Sequence, residues 1–294
     1  MKKSAPSRAP GNLKCYGSER RAMSGEALPI ISDVDFGLMY RAHQARAGAR
    51  AKPPAFWDDR ARDFDARQRA RDSYFDAFIA RMDFSGCDSL IDVGCGNGAL
   101  AVALAPRLKT ILGVDYSPAM LDLARRRAAE AGATNVTLAP RAWEDDWSDL
   151  PRCDIAVASR STGVMDLEPA LRKLDRQAKK RVYLTASVSG RIVNPALLDA
   201  LGRPPAPKID KPDYIYVVNL LYRMGRLAKV DFIARDRAED SRADWAGFQR
   251  NVALFLGKLS EAEAERLRAW KQHNPEAPLF ERDQAHWAFI SWAT

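Results

Sequence analysis

Apolar residues recur along the chain as short runs separated by helical stripes. A run of about five apolar residues that ends at a polar residue or a glycine is typical of a buried strand. Such runs lie at Ser89–Val93, Thr110–Val114, Val136–Ala139, Asp154–Ala158 and Arg181–Ala186. Helical patterns follow most of them, at residues 99–108, 118–131 and 168–178. This alternation predicts a doubly wound α/β domain with a parallel sheet.

The segment before the first strand has a helical pattern from residue 55 to residue 82. Its apolar stripe has helical spacing, at Phe75, Phe78, Ile79 and Met82. After the fifth strand, four prolines indicate a loop over residues 193–211 with a short helix at 196–201. Residues 214–224 favour a helix, although their β-branched content leaves a strand as the alternative.

The last part of the chain predicts two more strands and two more helices. Residues 229–234 form the sixth strand, and the aromatic segment 285–293 forms the seventh. Between them, Trp245 begins a helical stripe, and Ser260 with Glu263 makes a capping box that starts another helix. The segments 190–225 and 235–280 are therefore expected to form a partly helical cover.

The residues with the clearest chemistry lie where the first two strands end. Asp92 is followed by a glycine turn, and Asp115 closes the second strand. The turn consists of Gly94, Cys95, Gly96, Asn97 and Gly98. Glycines let the backbone approach a ligand closely, and an acid at the end of the second strand can hold a ribose. The pattern predicts a βαβ nucleotide-binding unit.

Two cofactor classes use such a unit, and Asp92 distinguishes them. A carboxylate at this position would repel the pyrophosphate of a dinucleotide, whereas it suits the ammonium and sulfonium of S-adenosylmethionine. The residues from Asp92 to Gly98 resemble motif I of the class I S-adenosylmethionine-dependent methyltransferases. The stretch from Gly113 to Ala124 is similar to that family's second motif, and Trp57 to Phe64 resembles the helix that precedes many of its domains.

The resemblance implies a Rossmann-like sheet of seven strands, with the last strand antiparallel beside the fifth. It also implies S-adenosylmethionine as cofactor. Asp115 is expected to bind both ribose hydroxyls, and Asp92 the ammonium. The other expected cofactor contacts are Gly94, Cys95, Gly96, Gly98, Tyr116, Met120, Ala142 and Trp143. A core role for Met120 and a helix-capping role for Asp115 are the alternatives.

The adenine end departs from the family's pattern. Ala142 stands where many relatives have an acid that accepts from the adenine amine. Either the backbone of Ala142 and Trp143 reads the base, or Glu144 substitutes for that acid; Trp143 could also stack on the ring.

Arg160, just after the fourth strand, is the candidate substrate residue, because its donor fork suits a carboxylate or phosphate. An ion pair within the protein is its alternative. No catalytic base is identified, since His43, His273 and His286 are each expected to be structural. The four cysteines contain no Cys-x-x-Cys pair, which argues against a metal site.

Composition and charge add little to this interpretation of fold and cofactor. Hydrophobic residues make up 47% of 294, and the net charge is +8. Residues 1–50 hold nine basic and four acidic residues, so most of the excess charge lies there. We expect these residues to form a disordered basic leader and residues 51–294 to form the domain. With neither an export signal nor a membrane span in the sequence, the expected location is the cytoplasm.

The sequence thus predicts methyl transfer to a small-molecule acceptor by in-line displacement. One alternative is an RNA or protein methyltransferase that uses the basic leader, although nucleic acid is the less favoured partner. The other is a methyltransferase-like protein that binds the cofactor without turnover. The oligomeric state is left open.

Overall fold

A computed structural model describes residues 30–61, 73–188, 192–204, 211–234, 245–282 and 286–294. The chain divides into two compact units, residues 1–34 and 35–294. In the first unit the described part contains a single 3-10 turn, Ile31–Asp33. The second unit contains the sheet and all the elements named below. Among the described helices none is long and apolar enough to cross a membrane.

The strands of the second unit largely follow the predicted pattern. They are β1 Ser89–Val93, β2 Thr110–Asp115, β3 Val136–Pro140, β4 Cys153–Ala158, β5 Ala178–Ser187, β6 Ile192–Val193, β7 Lys229–Ala234, β8 Phe280–Arg282 and β9 His286–Ala293. The helices are α1 Phe36–Arg46, α2 Pro54–Asp58, α3 Ser73–Ile79, α4 Ala99–Leu104, α5 Pro118–Glu130, α6 Leu167–Gln177, α7 Pro195–Leu201, α8 Tyr214–Arg223, α9 Trp245–Leu256 and α10 Glu261–His273.

Seven strands form one mixed sheet in the order β3-β2-β1-β4-β5-β9-β7. The first five strands of this order are parallel, whereas β9 runs antiparallel to both β5 and β7. The predicted sheet, with its antiparallel last strand, is therefore confirmed. Strands β6 and β8 form a separate antiparallel pair.

Hydrophobic clusters cover both faces of the sheet. On one face, α6 and α8 pack against the central strands through residues such as Leu171, Leu174 and Leu220. On the other, α3 and α4 contribute Phe78, Leu100 and other fully buried side chains. A smaller cluster joins α7, α9 and α10 through Leu197, Leu201, Phe248, Val252 and Leu267. This last cluster lies within the predicted helical cover.

The expectation that residues 1–50 form a disordered leader is wrong over α1. Tyr40 and Gln44 are buried, and both side chains hydrogen-bond at the Val164 carbonyl, with distances of 2.7 and 3.0 Å. Arg41 adds an ion pair with Asp166. These contacts join α1 to the loop after β4. Residues 1–29 lie outside the described residues.

The predicted helix over residues 55–82 is also corrected. The chain turns at residues 59–60, so α2 and α3 are separate helices. Of the residues between them, 62–72 lie outside the described part, and these include Phe64 of the predicted family motif.

Candidate functional site

The glycine turn between β1 and α4 packs against two other elements. Gly94 has φ +70°, and a Cβ there would lie 2.4 Å from Cβ of Ser161, in the loop after β4. Gly98 has φ +74°, and a Cβ there would lie 2.9 Å from Cβ of Ala124 in α5. Both positions therefore require glycine on conformational and steric grounds.

Cys95 fills the inside of this turn. Its side chain is buried, and its Sγ lies 3.0 Å from where a Cβ on Gly113 of β2 would stand. Burial raises the pKa of its thiol well above the usual range. Cys95 is therefore a small packing residue between the turn and β2.

Asp115 holds the glycine turn against the start of α5. Its Oδ2 accepts from the Gly96 amide and its Oδ1 from the Ser117 amide, each at 2.9 Å. Burial nevertheless raises the pKa of this carboxyl, against the lowering effect of these bonds. Each carboxylate oxygen can accept more than one hydrogen bond, so the side chain can still accept from a ligand.

Asp92 lies beside Asp115 and is 2% exposed. Its Oδ2 has no hydrogen-bond partner within the described residues. Burial, followed by the charge of Asp115, raises the pKa of Asp92 to about 7. A buried carboxylate needs a cation or hydrogen-bond donors to be stable, so this pair of acids is suited to a positively charged group.

Helix α2 is fastened to the start of α5, next to Asp115. Asp58 Oδ1 accepts from the Ser117 hydroxyl at 2.5 Å and from the Ala119 amide at 3.2 Å. The Tyr116 hydroxyl donates to the Lys52 carbonyl at 3.1 Å. The segment around α2 therefore covers the end of β2.

Met120 is 3% exposed and packs with Ala61 and Leu123, against Trp57. The geometry thus gives Met120 a core position, which was the alternative to a ligand contact. Trp57, from the predicted family helix, belongs to the same small cluster.

The segment after β3 is tied down by its own polar groups. The Ala142 amide donates to Asp145 at 2.8 Å, and its carbonyl accepts from Trp147 Nε1 at 2.9 Å. The Trp143 carbonyl accepts from Lys173, and Trp143 Nε1 donates to the Ser161 carbonyl at 3.0 Å. Protein groups therefore already engage the Ala142 backbone.

Glu144 is exposed and lies close enough to Tyr116 for its charge to contribute to the raised pKa of that phenol, after burial and Asp115.

Arg160 has a backbone conformation that is rare for a residue with a side chain, at φ +58°. Its amide donates to Thr185 Oγ1 at 2.9 Å, and Tyr74 OH also bonds to that oxygen. The Arg160 guanidinium stacks 4.3 Å from the Tyr74 ring centroid and 5.0 Å from that of Phe75. The next residue, Ser161, donates to the Val93 carbonyl at 2.6 Å, which places Arg160 beside the glycine turn.

Sequence reasoning missed the contacts of Asp58, Tyr74, Ser161 and Thr185. Asp58 follows Trp57 in the family motif, so the sequence could have indicated that it is important. Nothing in the sequence indicated that its side chain binds the start of α5. Each of the three histidines has a contact within the protein: His43 bonds to Tyr216, His273 to its own helix, and His286 packs near Phe232. No group of three potential metal ligands occurs in the described part of the chain.

Comparison with known proteins agrees with this fold. The sequence profile of a methyltransferase domain matches residues 85–201. An uncharacterized protein of Haemophilus influenzae is 33% identical over 266 residues, which cover 89% of this chain and 97% of that protein. The trans-aconitate 2-methyltransferase of Rhodococcus jostii is 28% identical over 143 residues, 48% of this chain and 52% of that enzyme.

A solved structure shares the fold. It is a complex from Haloferax volcanii of the Trm112 methyltransferase activator with its methyltransferase partner. Its matching chain has a TM-score of 0.50 and 18% identity, and the match covers 81% of this chain and 97% of that one. The chain belongs to the class I S-adenosylmethionine-dependent methyltransferases, and it is an enzyme of that class. The Haemophilus influenzae protein aligns with this chain over nearly the whole length of both proteins.

Proposed function

We propose that this enzyme binds S-adenosylmethionine at the ends of β1 and β2 and methylates a small molecule with an anionic group. The observation that carries the cofactor site is Asp92 Oδ2, which is buried beside a second carboxylate and has no partner among the described residues. The ammonium of the cofactor supplies the charge and the donors that this oxygen lacks.

The other residues of the site fit the remaining parts of the cofactor. Asp115 accepts from the ribose hydroxyls while it keeps its two backbone bonds. The glycine turn from Gly94 to Gly98 offers a surface without side chains to the methionine portion. Tyr116 and Glu144 are the proposed residues of the adenine end; burial, followed by the charges of Asp115 and Glu144, raises the pKa of Tyr116.

When bound, the cofactor supplies a sulfonium methyl group that is already a strong electrophile. The chain's own contribution is to position the acceptor in line with that methyl group and to exclude water. Helix α2 helps to exclude water, because Asp58 fastens it over the end of β2.

Arg160 is the proposed contact for the acceptor. Stacking on Tyr74 and Phe75 orients its guanidinium, and the contacts of Ser161 keep it beside the glycine turn. A guanidinium presents five N–H donors in one plane, which suits a carboxylate or phosphate. The Rhodococcus jostii relative is named for trans-aconitate, an acid, which supports the same choice of acceptor.

A small acceptor also agrees with the covering of this edge. The loop after β4 is closed over by α1 through Tyr40 and Gln44 and by α3 through Tyr74. A macromolecular acceptor would have to enter between these helices.

The test has two parts. Calorimetry is expected to show binding of S-adenosylhomocysteine and none of NAD. A panel of carboxylic and phosphorylated small molecules is then assayed with labelled cofactor. Arg160→Met is expected to raise KM for the active acid while leaving S-adenosylhomocysteine affinity unchanged. Arg125→Met makes the same change at an exposed residue of α5. It is expected to alter neither KM nor S-adenosylhomocysteine affinity.

Methylation of RNA or protein, with none of the small acids active, would contradict the proposed acceptor. Binding without any turnover on these classes would support the alternative of a non-catalytic cofactor-binding protein.

A further inference from the structure

An open cleft lies at the edge of the sheet opposite Asp92 and Asp115. It has a volume of about 480 Å³ and is lined by Arg152, Asp175, Arg176, Lys179, Arg226 and Thr294. We name it the basal cavity. Arg152 immediately precedes β4 and Lys179 lies near the start of β5, whereas Asp92 and Asp115 lie near the opposite ends of parallel strands. Strands of this length separate the two edges by roughly 20 Å.

The basal cavity carries an excess of positive charge. Against its four cations stand Asp175 and the carboxylate of Thr294. Asp175 Oδ2 accepts from Arg226 at 2.7 Å and Oδ1 from Trp292 Nε1 at 2.9 Å. In the described part of the chain, Arg152, Arg176 and Lys179 have no carboxylate partner. Elsewhere, nine described basic residues have a carboxylate partner: Arg41, Arg81, Lys109, Arg125, Arg141, Arg172, Lys180, Arg181 and Arg203. What distinguishes the three cations of the basal cavity is that they lie together on one cleft.

Two of the arginines are held in place by protein contacts. Arg152 donates to the Ala178 carbonyl at 2.9 Å, and Arg226 is held by Asp175. Arg226 also has a buried Nε that no described residue accepts from. A buried N–H without an acceptor is costly, and an anion in the cavity would remove that cost.

The helix dipole of α6 explains only one of the cations in the basal cavity. Cations near the C-terminus of a helix are favourable, and Arg176 occupies the last turn of α6. Arg152 and Arg226, however, come from the start of β4 and the segment after α8. Their convergence on one cavity therefore needs another explanation.

We propose that the basal cavity binds the polyphosphate group of a small molecule. The planar donor forks of two arginines match phosphate oxygens in pairs, and Lys179 adds a mobile cation. Three unpaired positive charges balance the charge of a di- or triphosphate better than that of a single carboxylate. This site is separate from the proposed methyl transfer, and its test does not depend on activity.

The experiment titrates the full chain with inorganic tripolyphosphate and with phosphate, by calorimetry in 0.15 M salt. We expect tripolyphosphate to bind more tightly than phosphate. The variant Arg176→Gln/Lys179→Gln is expected to weaken tripolyphosphate binding at least tenfold. The control Arg107→Gln/Lys109→Gln removes the same charge at the same edge of the sheet, outside the cavity, and is expected to change binding less than twofold.

Thermal melting establishes that each variant is folded. If the double variant does not fold, Lys179→Gln alone serves in its place, because that side chain is exposed and has no partner among described residues. Absence of tripolyphosphate binding to the wild-type chain would overturn the proposal, as would equal weakening in the control. An RNA oligonucleotide that binds more tightly than tripolyphosphate and is equally weakened by both variants would indicate a diffuse nucleic-acid surface instead.

Discussion

Asp92 is buried with one carboxylate oxygen unsatisfied, a state that destabilises the folded chain without ligand. We expect Asp92→Asn, which keeps the shape, to raise the stability of the ligand-free protein at pH 8 by about 1–3 kcal/mol. The same change is expected to weaken S-adenosylhomocysteine binding at least tenfold, because a charged acceptor for the ammonium is lost. Denaturation and calorimetry measure the two effects.

A gain in stability together with a loss of affinity in Asp92→Asn would identify Asp92 as a ligand-binding acid. The control Asp88→Asn affects an exposed carboxylate in an ion pair with Lys109, and it is expected to leave affinity unchanged. A loss of stability in Asp92→Asn with unaltered affinity would mean that Asp92 is structural.

The raised pKa of Asp92 also predicts a pH dependence. The folded pKa, about 7, lies above the value of 3.8 for an ordinary aspartate, so the folded state holds this proton more tightly. The contribution to stability is therefore complete below pH 4 and is lost as the pH rises through 7. We expect the stability difference between wild type and Asp92→Asn to grow over this interval in the ligand-free protein.

The affinity for S-adenosylhomocysteine should follow the opposite trend. Binding of an ammonium requires the ionised carboxylate, so wild-type affinity is expected to rise between pH 6 and pH 8, after allowance for the ligand's own titration. Asp92→Asn is expected to show a flatter profile, and parallel profiles for the two proteins would contradict the assignment.

For Asp115, the sequence predicted the position of the residue but not its hydrogen bonds. The strand pattern predicted its position at the ligand edge, but not its bonds to Gly96 and Ser117, because they depend on how the glycine turn folds back. Asp115→Ala is therefore expected to lower the melting temperature as well as the affinity, since two amides lose their acceptor. An unchanged melting temperature would show that water replaces the carboxylate.

At the scale of elements, α1 is the main surprise. Its large apolar residues are confined to the first turn and a half, from Phe36 to Tyr40, and no stripe continues beyond them, so periodicity gave little reason to expect packing. Its anchors are hydrogen bonds to Val164, more than a hundred positions away, and such pairings are not visible in local sequence. The strands of the sheet, by contrast, could be predicted because their buried residues form local apolar runs.

Truncation measures what α1 contributes. A chain that begins at Ala51 is expected to be less stable than one that begins at Asp35 by at least about 3 kcal/mol, the usual cost of losing one buried aromatic side chain. Comparison of these two truncated chains isolates residues 35–50. Equal denaturation midpoints would restore the expectation that this segment is dispensable.

Helix α2 is tested through the residue that fastens it. Asp58→Ala removes the acceptor of Ser117 and Ala119, and we expect about 1 kcal/mol less stability, in line with the loss of a helix cap. S-adenosylhomocysteine affinity should also fall, because the covering segment is released. Asp59→Ala, at an exposed neighbour, is the matched control, and an equal effect of both variants would exclude this role.

On the scale of the whole molecule, the family motifs from Asp92 to Asp115 and the order of strands allowed the fold to be predicted. The basal cavity could not be predicted, because its lining comes from five separate segments that meet only after folding. Charge counting pointed instead to residues 1–50, since a net charge does not indicate which cations have partners.

The position of β9 has a consequence for synthesis of the protein. β9 lies between β5 and β7, both of which precede it in the chain. While the polypeptide emerges from the ribosome, amino end first, β5 has a free edge and β7 has no neighbour in the sheet. Exposed strand edges invite association with other chains. The nascent protein therefore depends on protection from aggregation until its last strand is inserted.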